Sequence, residues 1–125
     1  MDKPDKFQIE VYNALRELGI PAHVKGYEFL KTAMNYLRNN PNAIYSITKE
    51  LYPEVAKMHG ENVKSSHVER GIRTALGLSR ANDDKWYSVM GKVGPMPNGE
   101  FLATLNESIK VKMAMEEVEK KNEQN

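Results

Sequence analysis

Arg70 and Arg73 stand three residues apart in the stretch EVAKMHGENVKSSHVERGIRTAL, residues 54–76. An arginine carries a planar, always-charged fork of donors that matches the two acceptors on the major-groove edge of guanine. On a helix, positions 70, 73 and 74 share one face, and His67 joins it from the first turn. Such a face can read base edges, with His67 able to meet a base or a phosphate. The same spacing also occurs on ordinary surface helices with solvated arginines. Position separates the two readings, because a recognition helix points its first two turns at the bases, and both arginines lie there.

The elements that would hold these side chains are legible around them. Val55, Ala56 and Met58 supply apolar positions for a first helix that stops near Gly60. The turn from Gly60 to Ser65 is polar except for Val63. Ser66-x-x-Glu69 has capping-box spacing, which predicts a second helix over about residues 66–79. Val68, Ile72, Ala75 and Leu76 then form one buried stripe, opposite the arginines. Helix, turn and helix together are a helix-turn-helix.

Length and composition bound the rest. A chain of 125 residues predicts one domain with a proper core. It has no cysteine, which excludes disulfide and thiol chemistry. No apolar run approaches a membrane span, and MDKPDKFQIE is not a secretory signal. These features point to a cytoplasmic protein with no membrane partner. Net charge is only +1, low for a nucleic-acid binder. Residues 49–80 hold six Lys or Arg against four Glu, so affinity for a single site should be modest and salt-sensitive.

The remaining chain reads as helical. Phe7, Val11, Ala14, Leu15 and Leu18 predict a helix over residues 5–18, stopped by Gly19. Tyr27, Leu30, Met34 and Leu37 predict a second, ending at Asn39-Asn40-Pro41. A third is expected from Asn42 to about Tyr52, with Pro53 opening the next helix or kinking a continuous one. Trp86 and Met90 mark a short helix capped by Asn82 or Asp83. Residues 91–99 are a loop, and a last helix from about Asn98 carries Phe101, Leu102, Leu105, Ile109 and Met113. The tail over about 117–125 is expected to fray. Tyr27, Leu30 and Trp86 are expected to meet beneath the recognition helix. The fold expected is all-α: a compact six-helix domain, residues 1–125, containing a helix-turn-helix.

Other chemistry is poorly supported. His23, His59 and His67 lack zinc spacing, so neither a metal nor a cofactor is expected. His23 reads as a structural hydrogen-bonding residue and His59 as a group solvating a helix end. No nucleophile elbow, P-loop or dinucleotide fingerprint is present. Neither an enzyme nor a small-molecule substrate is expected.

Three blocks carry a family resemblance: LGIPAHVKGYEFLKTAM at 18–34, ITKELYPEVAKMHGENVKSSHVERGIRTAL at 47–76, and PNGEFLA at 97–103. Over about residues 18–105 the chain resembles the DNA-binding effector domain of the sporulation stage-zero protein A response regulators. The resemblance implies a six-helix domain bound to double-stranded DNA at an element resembling TGTCGAA, often in tandem with head-to-tail protein contacts. It puts base contacts at Arg70 and Arg73, beside Thr74 and His67 on the same face. It puts phosphate contacts around the turn and the start of the helix, at Lys49, Ser65 and Ser66, and Lys64 on the same turn is expected to join them.

Departures from the family pattern sit in the groove-facing positions. The family has Arg where this chain has His67, His where it has Thr74, and an acidic or polar residue where it has Gly77. Gly71 replaces a family Ala, and two glycines predict a helix that orders fully only on DNA. About 17 residues precede the first block, too few for the family's receiver domain. That suggests a stand-alone effector. The competing reading is a receiver-less interaction module that antagonises or titrates a full-length regulator. No heptad pattern marks a dimer, so a monomer that pairs on tandem sites through its last two helices is expected. As a rival, Met113, Met115 and Val118 could pair between chains.

Overall fold

The computed structural model describes residues 3–124 and contains six α-helices and no strand among them. They are α1 (Lys6–Glu17), α2 (Lys25–Asn39), α3 (Tyr52–His59), α4 (Ser65–Gly77), α5 (Asp83–Met90) and α6 (Asn98–Gln124). The all-α fold with α3 and α4 as helix-turn-helix is the one the sequence predicts.

Local chemistry starts the helices. The Asp5 carboxylate accepts from the Gln8 amide at 3.0 Å, and the Gln8 side chain accepts from the Asp5 amide at 2.9 Å. This reciprocal box satisfies two donors at the start of α1. The Arg38 guanidinium, at the end of α2, forks onto the same Asp5 and ties the two helices together. Asn82 caps α5 by accepting from the Lys85 amide at 2.9 Å. Gly19 takes a left-handed φ of +65° just after α1, a conformation glycine adopts without strain.

α2 is the hub. Leu30, Ala33, Met34 and Leu37 are wholly buried, and the helix packs on α1, α3, α4 and α6. Its closest approach is to α4, where Gly26 meets Gly71. A Cβ on Gly26 would lie 1.9 Å from the Gly71 carbonyl oxygen, and one on Gly71 would lie 2.8 Å from the Phe29 ring. The two backbones therefore touch, with Phe29 filling the notch.

Several expectations need correction. The third helix does not run from Asn42 to Tyr52. Pro41–Tyr45 is a 3-10 turn, Ser46 breaks it at φ −143° and ψ 52°, and Ile47–Leu51 is a π-helical turn that leads into α3. Both the Glu50 and Leu51 amides turn to the Ser46 carbonyl, and the widened turn leaves Leu51 in the core and Lys49 in solvent. Pro53 sits in the first turn of α3, where its missing N–H costs nothing. Met58 is 58% exposed and contributes little to the core. Trp86 is buried, as are Tyr27 and Leu30, but its contacts close the corner between α5 and α6. Its ring meets Phe101 edge-on and covers Gly94, and its Nε1 donates to the Ser79 hydroxyl at 3.1 Å.

The tail does not fray at 117, since α6 continues to Gln124. Glu10, nearly buried on α1, accepts from Lys112 at 2.9 Å and pairs with Lys6 at 3.0 Å, while Lys6 also reaches Glu116 at 3.5 Å. This cluster fastens the middle of α6 to α1. Beyond it the residues are good helix formers, with Glu116 and Glu117 each four residues ahead of a lysine.

This packing has two measurable consequences. Helix propensity alone predicts that Gly26→Ala stabilises α2 by up to about 1 kcal/mol. The contact with Gly71 reverses the sign, and a loss of about 1–3 kcal/mol is expected in urea unfolding. Burial pushes the Glu10 carboxyl up, but hydrogen bonds from Lys112 and Lys6 outweigh it and hold the group below its ordinary 4.5. A depressed pKa stabilises the fold above the unfolded-state value, and that contribution disappears as pH falls through the folded-state value. The stability advantage of the native chain over Glu10→Gln should therefore be level near neutrality and shrink below pH 4.5. Urea midpoints measured from pH 7 to pH 3 check this.

Candidate nucleic-acid interface

α4 starts one residue earlier than its sequence signal suggests. Lys64 is the extended cap residue at φ −106° and ψ 159°, and the helix begins at Ser65. The third helical position is then His67, not Glu69, so the Ser66–Glu69 capping box does not form. His67 Nδ1 instead accepts the Lys64 amide at 3.0 Å. Glu69 turns outward and receives Arg73 Nη1 at 2.7 Å. The helix ends at Gly77 rather than near residue 79. Val68, Ile72, Ala75 and Leu76 are buried as the stripe predicts, and α4 runs unbroken through both glycines. Gly71 has a packing role against Phe29, whereas Gly77 faces open space.

Ser66, His67, Arg70, Arg73, Thr74 and Gly77 all face solvent along α4. They form a ridge between two grooves. His67, Arg70 and Thr74 line one groove, across from Val24, Lys25, Phe29 and His59. Glu69, Arg73 and Gly77 line the other, across from Tyr52 and residues 95–98. The two arginines thus open toward opposite flanks of one helix. Arg73 is held by Glu69 while its side chain stays 65% exposed. Arg70 has no ion-pair partner among the described residues. Lys64 is exposed at the cap and Ser65 is half-buried in the first turn. Lys49 is exposed on the π-helical turn, which packs against α3.

Two residues were missed in the sequence. Lys25, exposed at the start of α2, shares the Arg70 groove and can add a cation there. Asn98 Nδ2 donates to the Tyr52 hydroxyl at 3.1 Å and to the Glu69 carbonyl at 3.0 Å, joining the start of α6 to α3 and α4. Both fall inside the motif blocks already singled out, KGY and PNGEFLA, but only the packing shows what they touch.

The histidines divide differently from expectation. His59 does not simply solvate a helix end: its Nε2 lies 2.8 Å from the Thr32 hydroxyl and its ring stands edge-on to Phe29 at 4.9 Å. It is part of the α2–α3 packing that floors the Arg70 groove. His23 is exposed and has no hydrogen bond among the described residues, so it is not a structural anchor. No group of three or more His, Asp or Glu able to hold a metal occurs among the described residues.

Most nearby carboxylates have partners, although Glu61, exposed in the turn, has none among the described residues. Glu50 accepts from the Tyr36 hydroxyl at 2.7 Å, an interaction that pushes the Tyr36 phenol up to about 12. Glu54 pairs with Lys57, and Glu69 with Arg73. This leaves Lys25, Lys49, Lys64 and Arg70 as cations available to an anionic ligand. Because His67, not Ser66, supplies the side-chain acceptor at the start of α4, Ser66→Ala should change stability by less than about 0.5 kcal/mol. His67→Ala should cost about 0.5–1.5 kcal/mol by removing the acceptor of the Lys64 amide. Paired urea titrations distinguish the two.

A family model described as Sporulation initiation factor Spo0A C terminal matches residues 11–109. The match takes in α2 through α5, both helices of the helix-turn-helix, and α6 as far as its last core residue, Ile109. The chain therefore belongs to the Spo0A C-terminal family, the DNA-binding effector domains of sporulation regulators.

Proposed function

We propose that residues 1–125 act as a single sequence-specific DNA-binding domain that lays α4 in the major groove of an element resembling TGTCGAA. The observation that carries this reading is the solvent-facing ridge of α4, with Arg70 unpaired and Arg73 pre-oriented by Glu69. Arg70 and Arg73 read bases from the two flanks of the helix, with His67 and Thr74 beside Arg70. Lys49, Lys64, Ser65 and Ser66 hold phosphates around the turn, and Lys25 adds a contact beside the Arg70 groove. His67, Thr74 and Gly77 depart from the family pattern on this ridge, so the preferred sequence departs at the bases they face. Tandem elements are bound head-to-tail by successive copies.

A mobility-shift assay at near-physiological salt, with tandem-element and scrambled duplexes, tests the reading. A selective shift of the tandem duplex is expected. No shift with either duplex would favour the alternative, an interaction module that titrates another regulator. Arg70→Ala and Arg73→Ala should each cost about 1–3 kcal/mol on the cognate duplex and relax preference at one position. Circular dichroism should stay unchanged, because both side chains are exposed. Equal losses on cognate and scrambled duplexes would reduce the arginine concerned to a phosphate contact.

A further inference from the structure

The distal half of α6 carries an apolar face that its own domain does not cover. Leu102, Leu105 and Ile109 are buried, and Met113 packs on the core. Val111, Met115 and Val118 are 48%, 59% and 57% exposed, and with Ala114 they line one continuous groove. Their spacing of four and three residues keeps them on one side of the helix. Spacing alone implicates Met113 in such a face; the structure replaces it with Val111.

The charges around this stripe are inverted about its centre. On the stripe's flanks, Glu107, Lys110 and Lys112 lie before its centre with signs −, +, +, and Glu117, Glu119 and Lys121 lie after it with signs −, −, +, while Glu116 and Lys120 fall on the opposite side of the helix. Two copies laid parallel would set like charges level with one another. Laid antiparallel about Ala114 and Met115, they set Val111 level with Val118 of the second copy. On one flank Lys110 then stands near the second copy's Glu117, and on the other Lys112 near its Glu119. Lys112 also holds Glu10 of its own domain, so Lys110 is the freer of the two cations. A two-fold interface requires this kind of self-complementarity.

We infer that the exposed stripe of α6 is a homodimer interface in which two copies of this chain pair antiparallel through Val111, Ala114, Met115 and Val118. The paired segment from residue 107 to 121 is only about 20 Å long. One helix face of that length buries less than the roughly 1,200 Å² of a standard stable interface, so the dimer is weak and concentration-dependent. The stripe lies about 20–30 Å along α6 from Asn98, which touches α4. Pairing therefore leaves the DNA-facing ridge free. It also directs the two domains to opposite ends, their α6 starts about 50 Å apart along the axis. This geometry suits two separate duplex sites rather than adjacent ones.

Sedimentation of the full chain without DNA should show a monomer–dimer equilibrium at tens to hundreds of micromolar. Val118→Asp should shift the midpoint to at least tenfold higher concentration. The double variant Glu117→Lys, Glu119→Lys should weaken pairing at least threefold at low salt, with native-like circular dichroism in both cases. Orientation has its own test, because the native chain has no cysteine. Ala114→Cys should form a disulfide-linked dimer under mild oxidation, and Gln124→Cys should not. Overturning results are a monomer up to millimolar concentration, a dimer indifferent to Val118→Asp, or preferential linkage through position 124.

Discussion

The arrangement depends on the contact between the backbones of Gly26 and Gly71. No side chain fits at Gly26, since its Cβ would stand inside the van der Waals radius of a carbonyl oxygen. The contact brings α4 against α2 at the depth where Val68, Ile72, Ala75 and Leu76 reach the core. Depth and rotation of α4 together decide which side chains remain outside. The helix-propensity cost of glycine at these two positions, about 1 kcal/mol each, is offset by packing that a larger residue would prevent.

The outer face inherits that constraint. With α4 fixed along one side by α2 and along the other by Asn98, its exposed residues form a ridge between two grooves. Arg70 and Arg73, one turn apart in sequence, serve different flanks. Arg73 reaches out from an ion pair with Glu69 that lies largely in solvent, where such pairs contribute at most about 1 kcal/mol. Glu69 therefore orients Arg73 more than it stabilises the helix. The local surplus of positive charge is small, six Lys or Arg against four Glu over residues 49–80, so the face presents no broad basic field.

α6 belongs to both ends of the molecule. Its first turn holds α3 and α4 through Asn98, its middle holds α1 through Lys112 and Glu10, and its last turns extend beyond the core. The family match ends at Ile109, the last residue of α6 buried in the core. Past that point the helix carries an apolar face of its own, outside the matched effector region and with its own charge pattern.

The sequence by itself determined the fold class, the buried stripe of α4 and the exposed arginines, because helical periodicity states which face is apolar wherever the pattern is strong. Even motif blocks such as PAHVKGY and VERGIR were readable without coordinates. Tertiary structure decided what depends on register and on distant partners. The cap of α4 fell on Lys64 and His67 because the extended chain at Lys64 started the helix one residue before the Ser66–Glu69 signal. The segment 42–52 broke into two short turns because Leu51 had to reach the core. The middle of α6 is held because Glu10, more than a hundred residues away, anchors Lys112, and helix-forming residues carry the helix on from there. The burial of Leu51 and the Glu10–Lys112 anchor rest on partners whose proximity no local spacing encodes, whereas the cap of α4 turns on a one-residue register.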